Sequence, residues 1–136
     1  MTDAQTLRVL VVDDSRAAQS QIRKLCATHS NVEVVGTAFN GAEAIRIVKQ
    51  TRPDLVFMDL VMPDVDGIVA LRMLCKGIPG IRVAVISSLG GSARTAEEAF
   101  KLGAIDVLTK PVDPAALGRL VDAERQRKVE GAQAES

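Results

Sequence analysis

The segment Asp54-Leu55-Val56-Phe57-Met58-Asp59 decides the fold. Four apolar residues, Leu55 to Met58, read as a short buried strand with a carboxylate where it should emerge. One acid after one strand carries little information. Three other strand-like runs, however, end in Asp13-Asp14, Ser87-Ser88 and Thr109-Lys110. Paired acids, a further acid, a hydroxyl and an amine at four strand exits are the parts of a metal-assisted phosphoryl-acceptor site.

Working outward, apolar periodicity switches repeatedly between strand and helix. Leu7 to Val12 is a β-branched-rich run, followed by Ala18, Ile22, Leu25 and Cys26 on one helical face. Val32 to Val35 gives a second strand ending at Gly36. Asn40 then caps a helix, with Glu43 completing a capping-box pattern. After Asp59 a loop leads to Asp66, the expected cap of a helix bearing Ile68, Leu71, Leu74 and Cys75. Val83 to Ile86 is the fourth strand. The helix after it could be capped by Ser92 or Thr95 and ends at Gly103. Ile105 to Leu108 is the fifth strand, and Asp113-Pro114 opens the last helix, with Leu117, Leu120 and Val121 inward.

Five strands alternating with five helices predict an α/β domain with one doubly wound parallel sheet. In such sheets ligands bind outside the carboxyl ends of the strands. That rule gathers Asp13, Asp14, Asp59, Ser87 and Lys110 at one rim and puts Asp54 at the other. A single domain over residues 1–126 is expected. Beyond about Arg125 the sequence turns polar and reads as a frayed helix end, with 127–136 a polar tail or truncated linker.

Composition narrows the function. A chain of 136 residues can bury about two thirds of its unfolded surface, enough for a core without crosslinks. Only three residues are aromatic, all Phe, so the core must be aliphatic. Lys plus Arg and Asp plus Glu balance at 17 each, which leaves no basic field for nucleic acid or an anionic membrane. No signal-peptide pattern and no membrane-length apolar run are visible, so a cytoplasmic protein is expected. Cys26 and Cys75 fall at apolar helical positions and read as buried reduced thiols. His29 is alone and is assigned no chemistry.

Each rim residue also has a structural reading. Asp13-Asp14 could cap the first helix, Asp59 could serve a turn, and Ser87-Ser88 and Lys110-Pro111 could be loop polarity. Their joint occurrence at strand exits favours a site. A carboxylate attacking an anionic phosphoryl group needs charge neutralisation. Magnesium, which prefers oxygen ligands, provides it. Asp59 and one carboxylate of Asp13-Asp14 would supply ligands, with a loop carbonyl just past Asp59 as a third. Lys110 and Ser87 can each engage a phosphoryl oxygen.

The runs Val9-Leu10-Val11-Val12-Asp13-Asp14-Ser15, Asp59 through Gly67, Ser87-Ser88 and Lys110-Pro111 together resemble the receiver domain of two-component response regulators. The likeness spans about Leu7 to Arg125. It implies a flavodoxin-like sheet of order 2-1-3-4-5 and a phosphorylation-activated signalling switch rather than a separate enzyme. Asp59 would accept a phosphoryl group from a histidine kinase. Asp14 would ligate magnesium, Asp13 would act mainly through water, and Val61 would offer its backbone carbonyl. Ser87 and Lys110 would contact the phosphoryl group, and the Lys110-Pro111 bond would be cis. The output would be a downstream protein target or a fused output domain, with neither nucleic acid nor membrane as partner.

Three positions depart from the family pattern. Val107 stands where an aromatic residue is frequent, which removes a two-rotamer signal. Val61 and Leu89 are apolar where polar groups occur. Because neither can position an attacking water, slow hydrolysis of the phosphoryl group is expected. A phosphoryl lifetime that fails to shorten in Val61→Asn would count against this.

The segments Ser87-Ser88-Leu89 and Leu102 through Pro111 resemble the receivers of chemotaxis methylesterases, which carry a hydrolase domain after a linker. No Gly-x-Ser-x-Gly nucleophile elbow is present, so the alternative reading is an excised regulatory domain of such an enzyme. A flavin or small-molecule module on the same sheet plan ranks below both. Acids, not a Gly-rich phosphate loop, follow the first strand.

Overall fold

The computed structural model describes residues 6–60, 67–88 and 93–134. In chain order the elements are β1 (Leu7–Val12), α1 (Arg16–Ala27), β2 (Val32–Ala38), α2 (Gly41–Thr51), β3 (Leu55–Met58), α3 (Gly67–Gly77), β4 (Val83–Ser87), α4 (Ala93–Leu102), β5 (Asp106–Thr109) and α5 (Pro114–Ala134). The strands form one parallel sheet in the order β2-β1-β3-β4-β5.

Strand alternation sorts the apolar residues into two layers. Leu10 and Val12 of β1, with Val56 and Met58 of β3, pack on the face covered by α2, α3 and α4. Val9, Val11, Leu55 and Phe57 face α1 and α5 instead. Both faces of β3 and of β1 from Val9 onward are therefore dry, which is why Val9–Val12 and Leu55–Met58 are continuously apolar rather than alternating. Each large side chain so buried is worth about 1.5–3 kcal/mol.

Besides β4, which runs one residue further to Ser87, four elements differ from their sequence-predicted limits. The strand expected to stop at Gly36 runs on to Ala38. The pairing steps from Val9–Val34 to Leu10–Gly36, so Val35 bulges out of the ladder. Gly36 marks a close approach, since a Cβ there would lie 3.2 Å from Ile47 Cγ2 and 3.3 Å from Leu10 Cδ1. Thr95 sits inside the first turn of α4 and is not its cap, while Ser92, like Asp66, lies outside the described residues. β5 is displaced by one residue, to Asp106–Thr109.

The fourth difference is the largest. Where a frayed end and polar tail were expected after Arg125, α5 continues to Ala134. Its polar side chains fasten it to the far end of the sheet. Glu124 accepts two 2.8 Å bonds from the Arg82 guanidinium. Lys128 Nζ donates to the Thr6 carbonyl and to Asp54, both at 2.8 Å. A helix held by such contacts shows no apolar stripe, so periodicity could not extend it.

The caps were more legible. The Asn40 side chain accepts from the Glu43 N–H at 2.8 Å, and Asp113 accepts from Ala115 N–H with Pro114 at the first helical position. Both cysteines are free; Cys26 is buried, which pushes its thiol up to about 11. Among the described residues no helix is long and apolar enough to cross a membrane.

Candidate functional site

Strand register builds the rim. Val12 pairs with Met58, so the next residues, Asp13 and Asp59, leave the sheet side by side. The backbone ladder carries on past the strand ends: Asp13 N–H donates to Ala38 O at 3.0 Å and Asp59 N–H to Val12 O at 2.9 Å. On the other side Ser87 pairs with Thr109, and Lys110 N–H donates to Ser87 O at 3.1 Å. Asp59 is only 4% exposed and Asp13 3%, while Ser87 is fully buried. Asp14 is exposed and lies at the mouth.

Carboxylate oxygens of Asp13, Asp14 and Asp59 all lie within 4.8 Å of one another. Lys110 Nζ lies 2.7 Å from Asp13 Oδ2 and 3.2 Å from Asp59 Oδ2. Three carboxylates against one ammonium leave an excess of negative charge in a half-dry pocket, and such a set of hard oxygen donors suits a divalent cation. The residues present therefore fit magnesium. The structure brings together Asp13, Asp14, Asp59 and Lys110 and puts Ser87 on the same rim. Val61 and Leu89 lie outside the described residues. Lys110-Pro111 is cis. Val107 is partly buried against the core layer containing Val85 and Ala99.

Asp13-Asp14 do not cap α1. Ser15 does, accepting from Ala18 N–H at 3.2 Å, while Ser15 N–H donates to Asp13 Oδ1 at 2.9 Å. The Asp13 backbone is held by a residue that the sequence reading passed over. Gln19, 5% exposed, donates through Nε2 to Asp13 O at 2.8 Å and to Ala38 O at 2.9 Å. Its signal was available: Gln19 lies three residues before Ile22, a polar side chain on the apolar face. Arg16 and Phe39 were also passed over; the guanidinium carbon sits 5.7 Å from the ring centroid. Asp54 lies at the opposite rim as expected, accepting from Arg8 N–H and Lys128.

Burial disfavours the Lys110 ammonium, but its hydrogen bonds and charge contacts with Asp13 and Asp59 outweigh this and hold it above its ordinary 10.5. A base with a raised folded value contributes stability that is complete below the unfolded value and lost as pH climbs through the folded one. The stability difference between wild type and Lys110→Met should therefore be constant up to about pH 10 and shrink above 10.5. Urea unfolding across that range reads it out, and a gap that stays constant at pH 11 would contradict the ion-pair account.

Comparison with known proteins agrees with this geometry. The response regulator receiver domain family matches residues 9–122. Over 111 residues the chain is 40% identical to protein-glutamate methylesterase/protein-glutamine glutaminase 5 of Myxococcus xanthus, covering 82% of this chain and 32% of that protein. Against chemotaxis protein CheY of Thermotoga maritima identity is 38%, with 85% and 92% covered. The chain thus spans about a third of its methylesterase relatives but nearly all of CheY. Among solved structures, the response regulator domain of Thermotoga maritima CheB superposes with a TM-score of 0.77 at 34% identity, covering 90% of this chain and 96% of that one. By its sheet order, its acidic rim and these matches, the chain belongs to the response regulator receiver domain family.

Proposed function

We propose that this receiver is a phosphorylation-driven switch whose phosphoacceptor is Asp59. The observation that carries the reading is the carboxylate trio at the carboxyl end of the sheet, with Lys110 bridging Asp13 and Asp59. Asp59 is the only member that follows the central strand β3 directly, and it is fixed by its own N–H to Val12 O. Its carboxylate oxygen attacks phosphorus, an O–P bond forms, and the bond to the donor nitrogen or oxygen breaks with the electron pair leaving on the donor.

Bound magnesium, held by Asp14, Asp59 and the Val61 carbonyl with Asp13 acting mainly through water, would supply charge neutralisation. Lys110, already within reach of Asp59, pairs with a phosphoryl oxygen as a point charge. The Ser87 hydroxyl takes another, drawing the loops after β4 and β5 toward the new dianion. A histidine kinase in the cytoplasm is the phosphodonor, and a downstream protein or a joined output domain receives the signal. A second reading, the regulatory domain of a chemotaxis methylesterase, is favoured by 40% identity to a protein of which this chain covers only a third. Incubation with acetyl phosphate and magnesium followed by intact mass tests the central claim. An adduct should form on wild type, and its absence under conditions that phosphorylate other receivers would overturn it.

A further inference from the structure

The acidic pocket has a cation beside it that it does not use. Arg16 is the first residue of α1, two positions after Asp14, and is exposed. Yet among the described residues it forms no ion pair with Asp13, Asp14 or Asp59; Lys110 takes two of them. The guanidinium rests instead over Phe39, itself 36% exposed. Phe39 directly follows Ala38, whose carbonyl accepts from Asp13 N–H and Gln19 Nε2. Phe39 thus follows a residue whose carbonyl is bonded to Asp13, and Arg16 rests on its ring.

Two aspects of this arrangement run against ordinary preference. A cation at the first position of a helix opposes the helix dipole, and α1 has no acid in its first turn to offset it. An aromatic ring with more than a third of its surface exposed contributes less to the core than a buried one. Together they leave the planar Arg16 guanidinium on Phe39 at the start of α1, two residues past Asp14, with no ion pair to a carboxylate among the described residues.

We infer that Arg16, seated on Phe39, recognises the incoming phosphoryl donor and is a specificity-determining residue for transfer to Asp59. The inference rests on the receiver reading above. The ligand is the phosphoryl dianion of the donor before transfer. Asp59 lies at the pocket floor with Lys110 beside it, whereas Arg16 is at the surface, so it acts on the arriving group rather than the bound one. Attack by Asp59 forms the O–P bond. The P–O bond of acetyl phosphate breaks to release acetate, or the P–N bond of phosphoramidate breaks with the nitrogen taking up a proton to leave as ammonia.

The test compares phosphorylation of wild type, Arg16→Ala, Arg16→Lys and Phe39→Leu by acetyl phosphate and by phosphoramidate, with magnesium, at low and high salt. Arg16→Ala should lower the second-order rate constant about 3- to 10-fold at low salt with both donors, and less at high salt. Arg16→Lys should retain most of the rate, and Phe39→Leu should fall between. The lifetime of the phosphorylated form and the melting temperature should stay at wild-type values in all three. Wild-type rates in Arg16→Ala would overturn the inference, as would equal losses in the Lys and Ala variants accompanied by a lower melting temperature, which would indicate a role in the helix end alone. Failure of wild type itself to be phosphorylated would overturn the receiver reading, a result distinct from either.

Discussion

Gly67→Ala should destabilise the domain by about 3 kcal/mol and cut phosphorylation of Asp59 by on the order of 10²-fold. In an ordinary helix the same change stabilises by about 0.4–1 kcal/mol, through helix propensity and reduced unfolded-state entropy. Here the added Cβ would overlap the Leu60 backbone, at its Cα, carbonyl carbon and oxygen. The two segments are in contact because Gly67 N–H donates to Leu60 O at 3.1 Å. Backbone cannot rotate aside as a side-chain tip can, so α3 or the segment after β3 must move. Leu60 is buried and adjoins Asp59, so the displacement reaches the phosphoacceptor. Overlap therefore wins over propensity. Urea unfolding gives the first effect and the rate of adduct formation the second. A variant as stable as wild type would show that the two segments separate without cost.

Asp59→Asn should abolish the phosphoryl adduct while leaving the magnesium-free protein as stable as wild type or more so. The carboxylate trio packs three like charges within 4.8 Å, with Lys110 as counterion to two of them. At about 4 Å a pair of charges interacts by about 1 kcal/mol in water and about 4 kcal/mol at the effective dielectric near a protein surface. The substitution removes two such repulsions and one attraction, and the shorter Lys110–Asp13 contact of 2.7 Å survives. A gain of about 1 kcal/mol is expected without magnesium. With magnesium the order reverses, because a ligand that binds only the folded state stabilises it in proportion to its affinity, and the variant has lost one anionic donor. Thermal melts with and without magnesium, alongside intact mass, report both effects. An adduct of undiminished yield in the Asn variant would place the acceptor elsewhere.

What could be read from sequence followed a physical pattern. The central strands are apolar on both faces, so Val9–Val12, Leu55–Met58 and Val83–Ile86 stand out as short unbroken runs. Strand ends at the rim were legible because polar side chains appear only where the sheet meets solvent. Gly36 misled because glycine signals either a turn or a close approach, and only the position of Ile47 on α2 distinguishes them. The end of α5 was hidden because Glu124 and Lys128 hold it through ionic contacts with residues 42 and 74 positions away. Gln19 was an anomaly without a partner until β1 and β2 brought two carbonyls to its amide.

By itself the sequence determined the sheet architecture and the membership of the rim: Asp13, Asp14, Asp59, Ser87 and Lys110 must collect at one edge once five parallel strands are accepted. Burial follows from apolar pattern, which is a local property, whereas the strand order 2-1-3-4-5 was implied by the family resemblance. Tertiary structure decided which of those groups touch. Register set Asp13 beside Asp59, and the β4–β5 pairing aimed Lys110 at both rather than at solvent. It also left Arg16 on Phe39 and outside the acidic cluster. Pairing among charges depends on distances of a few ångströms across strands far apart in the chain, and no spacing along the sequence encodes them.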